Sequence, residues 1–416
     1  MNKLLTFILG FFLTTSLVAQ LNNEFFQDTT DRVSFNLVAN YSYGSNTLNN
    51  EFMSKFLFGG KIEQELKETV YDKLASNNFT GADLNYTLNV LIPMDTFFRK
   101  SNLSLLVGVE NVEHFDASFT EDLFKFTFDG NKQFAGKAAE ISNTNYNAFT
   151  YQQVNFGIVS KKVKNKKLAR EGFVVSLIKA QSHEAITVPR GTIFTEELGK
   201  ELILDVNYEY NSSDTANTGI MAFNGYGVST DLFTEFFLKN GDKIHLAVND
   251  LGFIVFNSNS MDQTADSVYH FEGVEVDNIF DLNDSLLAEI SQDSIIGDIT
   301  EHKNEGYSIA LPTGFNINYS KYFNQKWKLD VGVYYKILAN YFPLIYTNTY
   351  YYFNESFALK GHVSYGGYGK LNTGIAIAKS FNKSVNIHVG TNNVEAFIAK
   401  KSSYANSGFA GLTVYF

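Results

Sequence analysis

Alternation of apolar and polar residues over about ten positions is the feature that most constrains how this chain can fold. Residues 32–44 place Val, Phe, Leu, Ala and two Tyr on one face, and mainly Ser and Asn on the other. Residues 80–90 repeat the pattern. Such strands suit a membrane barrel, with lipid outside and water inside, or one face of a soluble sandwich. After residue 20 no apolar run approaches the roughly 20 residues that a membrane helix needs, so any later span must consist of strands.

Three Phe-Asn turns, at Phe323, Phe353 and Phe381, recur in the C-terminal third at spacings of 30 and 28 residues. A period just under thirty is the length of one hairpin. Alternating strand residues follow each turn, and Asp330 and Lys360 occupy mid-strand positions between the apolar ones. A charge there costs little if its face lines a hydrated lumen, and much if it faces lipid or a dry core.

This template predicts an all-β fold, a 14-stranded antiparallel transmembrane β-barrel with small helical insertions in the extracellular loops. The predicted strands begin near residues 33, 80, 102, 148, 172, 226, 243, 307, 327, 344, 357, 371, 385 and 408. The short connections are those near 93–101, 161–170, 238–242, 322–326, 353–356 and 381–384, and the long ones those near 45–78, 112–147, 182–225 and 257–306. All the short connections fall on one side of the barrel and all the long ones on the other, as periplasmic turns and surface loops do.

The two ends of the chain fit an outer-membrane barrel. Residues 1–19 read as a cleaved signal peptide, which leaves residues 20–416 as one barrel domain. The end of the chain, with Phe409, Gly411, Val414 and a terminal Phe416, resembles the strand motif by which the barrel-assembly machinery recognises its clients. The even strand number places both termini in the periplasm of a Gram-negative cell.

Charge is distributed unevenly between the two predicted sides. The connection 258–306 holds twelve acidic residues and one Lys, which equals the net charge of -11 of the whole chain. Arg99, Lys100 and the Lys-rich turn 161–167 are basic and lie on the opposite side. Both charged regions are interpreted as solvated loops. The alternative is that the basic turns contact anionic headgroups or a protein partner and that the acidic connection faces a cationic ligand or divalent ions. An acidic chain excludes a nucleic-acid partner.

Helical periodicity marks two stretches in the long connections. Residues 50–75 carry apolar side chains at helical spacing, interrupted at Gly59 and Gly60, and residues 120–128 begin with acidic residues suited to a helix first turn. We expect both stretches to cap the barrel mouth or to fold into it.

No set of residues with catalytic, cofactor-binding or metal-binding spacing is identified, and the absence of cysteine excludes thiol chemistry and disulfides. The chain is therefore predicted to be non-enzymatic and without cofactor. The polar residues expected to face the lumen are His245, Asp330, Lys360, His362 and His388. They read as ordinary lumen residues; a proton relay or a metal site built from these histidines is the alternative.

Several segments resemble a family of uncharacterised outer-membrane proteins, a domain of unknown function found in bacteria with the type IX secretion system. These are FLFGGKI at 56–62, DLFK at 122–125, GNKQFAG at 130–136, DLGFI at 250–254 and ALP at 310–312. The architecture is more distantly similar to 14-stranded FadL-like barrels, which include hydrophobic-solute transporters and the PorV-like barrel of that secretion system. The family brings no established site residues. About a dozen residues precede the first strand, too few for the N-terminal hatch of a FadL transporter, unless the 50–75 insertion plugs the lumen instead.

The function expected from these observations is a barrel that contacts lipid and presents surface loops to protein partners, as an accessory to secretion or outer-membrane assembly. The first alternative is a FadL-like passive transporter or channel for small hydrophobic or amphipathic solutes. The second is a surface hydrolase, for which the sequence offers no constellation.

Overall fold

The structure is a computed structural model that describes residues 25–26, 32–94, 102–164, 167–271 and 303–416. The predicted signal peptide, the turn with Arg99 and Lys100, and residues 272–302 of the acidic connection lie outside these residues.

Fourteen strands hydrogen-bond in a closed antiparallel ring. They are β1 (Ser34–Ser45), β2 (Asn78–Met94), β3 (Leu103–Phe119), β5 (Thr144–Lys164), β6 (Lys167–Thr195), β8 (Gly225–Phe237), β9 (Lys243–Phe256), β13 (Gly314–Tyr322), β14 (Trp327–Lys336), β15 (Phe342–Asn354), β16 (Phe357–Gly367), β17 (Leu371–Phe381), β18 (Val385–Thr391) and β19 (Ala405–Tyr415). β1 pairs with β19 from Ser34–Tyr415 to Gly44–Ala405, which closes the cylinder. The 14-stranded antiparallel barrel predicted from the alternation is confirmed.

The alternating pattern sorts side chains between the two faces of this wall. Asn36 faces the interior and is buried, whereas Leu37 faces outward and is exposed. Large exposed apolar side chains occupy outward positions around the ring: Leu37, Val109, Phe156, Phe173, Leu232, Leu246, Ile317, Val331, Ile345, Val363, Ile375 and Ile387. At the short-turn end Trp327, Tyr351 and Phe353 form an outward aromatic row, with ring centroids 4.7 Å apart at each step. An apolar belt bordered by aromatic rings is the exterior that a bilayer requires.

Five short or peripheral strands build an extension at the long-loop end. They are β4 (Lys137–Glu140), β7 (Leu202–Ser212), β10 (Met261–Phe271), β11 (Lys303–Asn304) and β12 (Ser308–Ala310). The first half of β6 pairs with β8 in the barrel wall, and its second half continues beyond the wall to pair with β7 and β4. Arg190 joins three strands of this extension. Its guanidinium on β6 lies 2.5 Å from the carboxylate of Asp205 on β7 and 2.6 Å from that of Asp266 on β10.

One predicted strand is displaced. The strand expected to begin near Tyr307 is split into β12, which adds to the end of β9, and the barrel strand β13, which begins at Gly314. The intervening residues include Pro312, which has no N–H to donate to a ladder.

The two predicted helical stretches become three helices: α1 (Asn50–Phe58), α2 (Gln64–Tyr71) and α3 (Glu121–Asp129). Asn49 and Thr120 cap α1 and α3 by accepting hydrogen bonds from Phe52 N and Leu123 N. A short 3-10 helix (Asn131–Phe134) and a single-turn helix, α4 (Glu395–Ile398), complete the described helices. No helix within the described ranges is long and apolar enough to cross a membrane.

The expectation that these helices cap or enter the barrel mouth is wrong for α1 to α3. Phe52, Leu66 and Phe124 form one cluster with Tyr43, Ala82 and Phe119, which are outward-facing residues of β1, β2 and β3. The helices therefore pack against the outside of the wall at the long-loop end. The apolar faces of the helices pack against outward side chains of these strands, as expected of faces that pack against the barrel rim.

Asp129 joins α2 to α3. Its carboxylate accepts a hydrogen bond of 2.8 Å from Lys67 and another from the Tyr71 hydroxyl. Burial alone would raise the pKa of Asp129, but the hydrogen bonds from Lys67 and Tyr71 outweigh it and lower the pKa below its usual range.

Candidate functional site in the barrel lumen

A cavity of about 340 Å³ occupies the lumen beside β9 and β13 to β16. Its volume is at the lower end of the roughly 300–1,000 Å³ typical of small-molecule sites. Inward-facing amides, hydroxyls and charged groups supply much of the wall, among them Asn318, Ser320, Asn348 and Ser364. The other side of the interior is filled by apolar side chains: Leu91, Leu106, Val159, Val174, Phe233 and Ala247 in one cluster, and Val112, Phe149, Tyr151, Ile178, Ala180, Ile254, Phe256 and Leu311 in a second. The lumen therefore contains a cavity on one side and a packed apolar core on the other.

Phe25 closes the interior at the short-turn end. It is 4% exposed and packs among Tyr350, Ala358, Ala376, Ala378 and Phe409. Its ring lies 5.5 Å from that of Tyr350, edge-on, and the Lys360 ammonium lies 5.9 Å from its centroid. The segment ahead of β1, expected to be too short for a hatch, still delivers one aromatic side chain into the lumen.

Three tyrosines close the interior at the long-loop end. Tyr341 packs edge-on against Tyr334 and Tyr368, with ring centroids 6.1 and 5.1 Å apart. Tyr368 lies directly over Gly81, where a Cβ would come within 2.3 Å of its ring. We call Tyr334, Tyr341 and Tyr368 the tyrosine layer.

Polar bonds across the barrel hold the loop that carries Tyr341. Lys336 on β14 lies 2.6 Å from Asp83 on β2. Asn340 donates to Asp116 at 3.0 Å and to Asn145 at 2.7 Å. These bonds join β14 and the loop after it to β2, β3 and β5 across the ring, and they are separate from the ladders of the wall.

Two buried ion pairs line the middle of the cavity. Lys243 lies 2.7 Å from Glu235, and Lys328 lies 2.9 Å from Asp330. The second carboxylate oxygen of Asp330, the Oδ1 of Asn249 and that of Asn392 have no hydrogen-bond partner.

A row of three inward side chains crosses from β15 to β16. His362 Nδ1 lies 2.7 Å from Asn348 Oδ1, and His362 Nε2 lies 3.0 Å from Ser364 Oγ. All three residues are buried, at 9% exposure or less. Asn348 and His362 are directly opposite in the strand register, and Ser364 follows two residues later on the same face.

The structure places all five predicted lumen residues on the inner face. His245, Asp330, Lys360 and His362 line the cavity. His388 lies nearer the short turns, where its ring covers Gly411 and stands 5.8 Å from that of Phe25. Reasoning from sequence missed Ser364 and Asn348; the usable signal was the His-x-Ser spacing on one predicted strand, since i and i+2 share a face.

The predicted C-terminal motif divides between the two faces. Phe409 and Gly411 point inward, and Phe409 contacts Lys360, whose ammonium lies 4.8 Å from the ring. Val414 faces outward and Phe416 is exposed at the end of the wall. Within the described residues no group of three or more His, Asp or Glu is placed to hold a metal ion.

The closed ring, its apolar exterior and its polar interior define a transmembrane β-barrel, the architecture of outer-membrane proteins. A model of a family of unknown function, DUF5723, matches residues 26–392, and the chain belongs to that family. No curated protein matches the sequence.

Solved barrels are similar to this chain over most of their length. The toluene transporter TodX of Pseudomonas putida is 8% identical, with 93% of this chain and 89% of that one covered and a TM-score of 0.42. A FadL homologue of Pseudomonas aeruginosa is 9% identical, with 93% and 90% covered and a TM-score of 0.42. The translocator domain of the autotransporter NalP of Neisseria meningitidis is 7% identical, with 94% and 90% covered and a TM-score of 0.34. At these scores the fold assignment depends on the strand pairing of this chain itself.

Proposed function

We propose that this protein is an outer-membrane channel that admits small polar solutes to a lumen gated at both ends. The observation that carries the proposal is a cavity of about 340 Å³, with both polar and apolar groups in its wall, between two barriers made of side chains. Phe25 forms one barrier and the tyrosine layer the other. Phe25, Tyr341 and Tyr368 lie outside the strands of the wall, whereas Tyr334 belongs to β14. The side chains outside the strands can move while the barrel stays closed.

The charged and hydrogen-bonding groups of the cavity wall support polar solutes over the wholly hydrophobic ones among the small hydrophobic or amphipathic solutes considered from sequence. Asn318, Ser320 and the ion pair of Lys328 with Asp330 line it. An apolar solute would remove water from these groups and return no hydrogen bond, which is unfavourable. In the proposed orientation the start of β1 and the end of β19, which lie at the short-turn end, are periplasmic, and α1 to α3 and the β6–β7–β10 extension are extracellular.

Liposome swelling tests the channel. Wild-type protein in liposomes should admit a neutral sugar slowly, and Phe25→Ala combined with Tyr368→Ala should admit it several-fold faster because both barriers are removed. The matched control combines Phe397→Ala with Tyr365→Ala, whose exposed rings lie outside the lumen. Equal swelling rates for folded test and control proteins, with no sugar entering either, would refute the channel.

A second candidate function is the partner-binding role in secretion or barrel assembly, including the association with type IX secretion. The β6–β7–β10 extension favours it, because these strands project beyond the wall and are fixed by Arg190. The test is cross-linking in native envelopes of wild type and a variant with the β6–β7 hairpin shortened. A partner lost only from the shortened protein supports the role; identical cross-links contradict it.

A further inference from the structure

We infer that Ser364, His362 and Asn348 form a nucleophile, base and orienting group that hydrolyse small polar esters inside the cavity. The inference rests on the proposed function, because the ester must reach the lumen. It departs from the non-enzymatic role expected from sequence.

The three side chains meet the geometric requirements of such a set. Ser364 Oγ lies 3.0 Å from His362 Nε2, within hydrogen-bond reach of a general base. His362 Nδ1 lies 2.7 Å from Asn348 Oδ1. A carbonyl oxygen accepts only, so this contact fixes the proton on Nδ1 and leaves the Nε2 lone pair directed at the serine hydroxyl. A histidine held in this tautomer between a hydroxyl and an acceptor is the arrangement by which such sets are recognised on unrelated folds.

The barrel wall holds this geometry rigidly. Asn348 and His362 are cross-strand partners, and Ser364 lies on the same face two residues further along β16. Ladder hydrogen bonds on both sides of β16 fix its backbone. A constellation on paired strands is more precisely positioned than one on loops.

One amide beside the serine can donate to the developing oxyanion. Asn372 on β17 is the register partner of Ser364 and lines the cavity. Its Nδ2 makes a long contact of 3.3 Å with the Lys370 carbonyl oxygen. The hydroxyl of Tyr346, the partner of Ser364 on β15, already donates to Asn316 Oδ1 at 2.9 Å and is not assigned this role. An amide N–H beside the nucleophile supplies the stabilisation that acyl transfer needs.

The reaction balances with water as the only co-reactant. Ser364 Oγ bonds to the ester carbonyl carbon as its proton passes to His362 Nε2. The C–O bond to the alcohol then breaks, and the alcohol leaves with that proton. Water, deprotonated by His362, attacks the acyl-serine, which releases the acid and returns the proton to Ser364.

The cavity selects the substrate class. Its polar wall and volume of about 340 Å³ suit a short acyl group on a small polar alcohol. The serine faces the lumen rather than the apolar exterior, so long-chain lipid esters do not reach it.

The test is hydrolysis of p-nitrophenyl acetate and p-nitrophenyl palmitate by the full chain, folded in detergent. Wild type should cleave the acetate and not the palmitate, and Ser364→Ala and His362→Gln should each lower the rate at least about 100-fold. Ser176→Ala is the matched control, because this buried serine on β6 lies outside the cavity lining and its hydroxyl has no hydrogen-bond partner among the described residues. It should retain the wild-type rate.

Asn348 is a positioning residue and needs a separate readout. Asn348→Ala should lower kcat with KM little changed, and Asn348→Asp should restore much of kcat and shift the acidic limb of the pH profile. A small fluorophosphonate should label Ser364 in wild type, and the modified peptide identifies the serine by mass.

The two proposals fail separately. If the variant with both barriers opened admits sugar but shows no esterase activity and no labelling of Ser364, the hydrolase inference is overturned and the channel stands. If Ser364 is labelled while neutral sugars never cross the liposome, the channel is refuted. Equal esterase rates in wild type and Ser364→Ala would also overturn the inference.

Discussion

Gly81→Ala is expected to displace the tyrosine layer and so open the long-loop end. An added Cβ would lie 2.3 Å from Cζ of Tyr368 and 2.4 Å from its Cε2. Ordinary contact between carbon atoms begins at about 3.5 Å, so the ring must move by about 1 Å. Tyr368 is 6% exposed and its ring packs edge-on against Tyr341, which has to move with it.

The size of the effect follows from this overlap. Forcing an extra methyl into a packed site costs about 1–3 kcal/mol. Each 1.4 kcal/mol is about a factor of ten, so the closed arrangement should lose roughly ten- to a hundredfold in population relative to the open one. The φ angle of Gly81 lies outside the left-handed region, so alanine adds no backbone strain.

Single-channel recording in planar bilayers measures this shift as the fraction of time spent open. Gly408→Ala is the matched control, because Gly408 faces outward on β19 and an added Cβ meets nothing within 4 Å. Equal open fractions for the two variants, both folded by their heat-modifiable migration in gels, would refute the assignment of Tyr368 as a barrier.

Three further outcomes are expected. Lys243→Met should remove the ammonium partner of buried Glu235, which keeps the Arg170 N–H as a donor, and lower the free energy of unfolding by about 1–3 kcal/mol in denaturant titrations; Lys383→Met, which removes an ion pair exposed on both sides, should change it by less than about 1 kcal/mol. The contact of α2 with α3 should weaken in acid, because the folded-state pKa of Asp129 lies below its unfolded value, so its stabilisation is complete above the unfolded pKa and is lost as the pH falls through the folded one. The protection of residues 64–71, taken as the exchange rate relative to the intrinsic rate at the same pH, should therefore fall in acid for wild type and should be low at all pH values for Asp129→Asn; a pH-independent protection in wild type would contradict this. Phe25→Ala should lower the free energy of unfolding by about 3–5 kcal/mol and make the segment before β1 more sensitive to protease. An unchanged rate of cleavage would show that other contacts hold this segment.

The wall was predictable because its signal is local. Alternation has a period of two, and a strand with one apolar face can be placed from its own ten residues, as for β1 and β2. The turns at Phe323, Phe353 and Phe381 also mark their own hairpins, since the chain reverses within a few residues.

The side-chain contacts of the interior and of the helices could not be predicted from the sequence, because they join residues far apart in the chain. Apolar periodicity in α1 and α2 indicates a buried face but not which surface covers it, and here the outside of β1 to β3 covers it. Phe25 packs in the lumen against Tyr350, a residue that follows it by more than 300 positions in the chain. Ser364 and Asn348 meet His362 only once the register of β15 and β16 is known.

Asn50, the first residue of α1, also bonds to the start of the last strand, beside the ladder that closes the barrel. Its side chain donates to Ser403 Oγ and to the Ala405 carbonyl oxygen, both at 2.8 Å, and its backbone N–H donates to the Ser403 carbonyl oxygen. A slip of one residue in the ladder between the first and last strands would move every side chain of the final strand to the opposite face. Because Asn50 bonds to both Ser403 and Ala405, directly before and at the start of that strand, the helix fixes the register in which the cylinder closes.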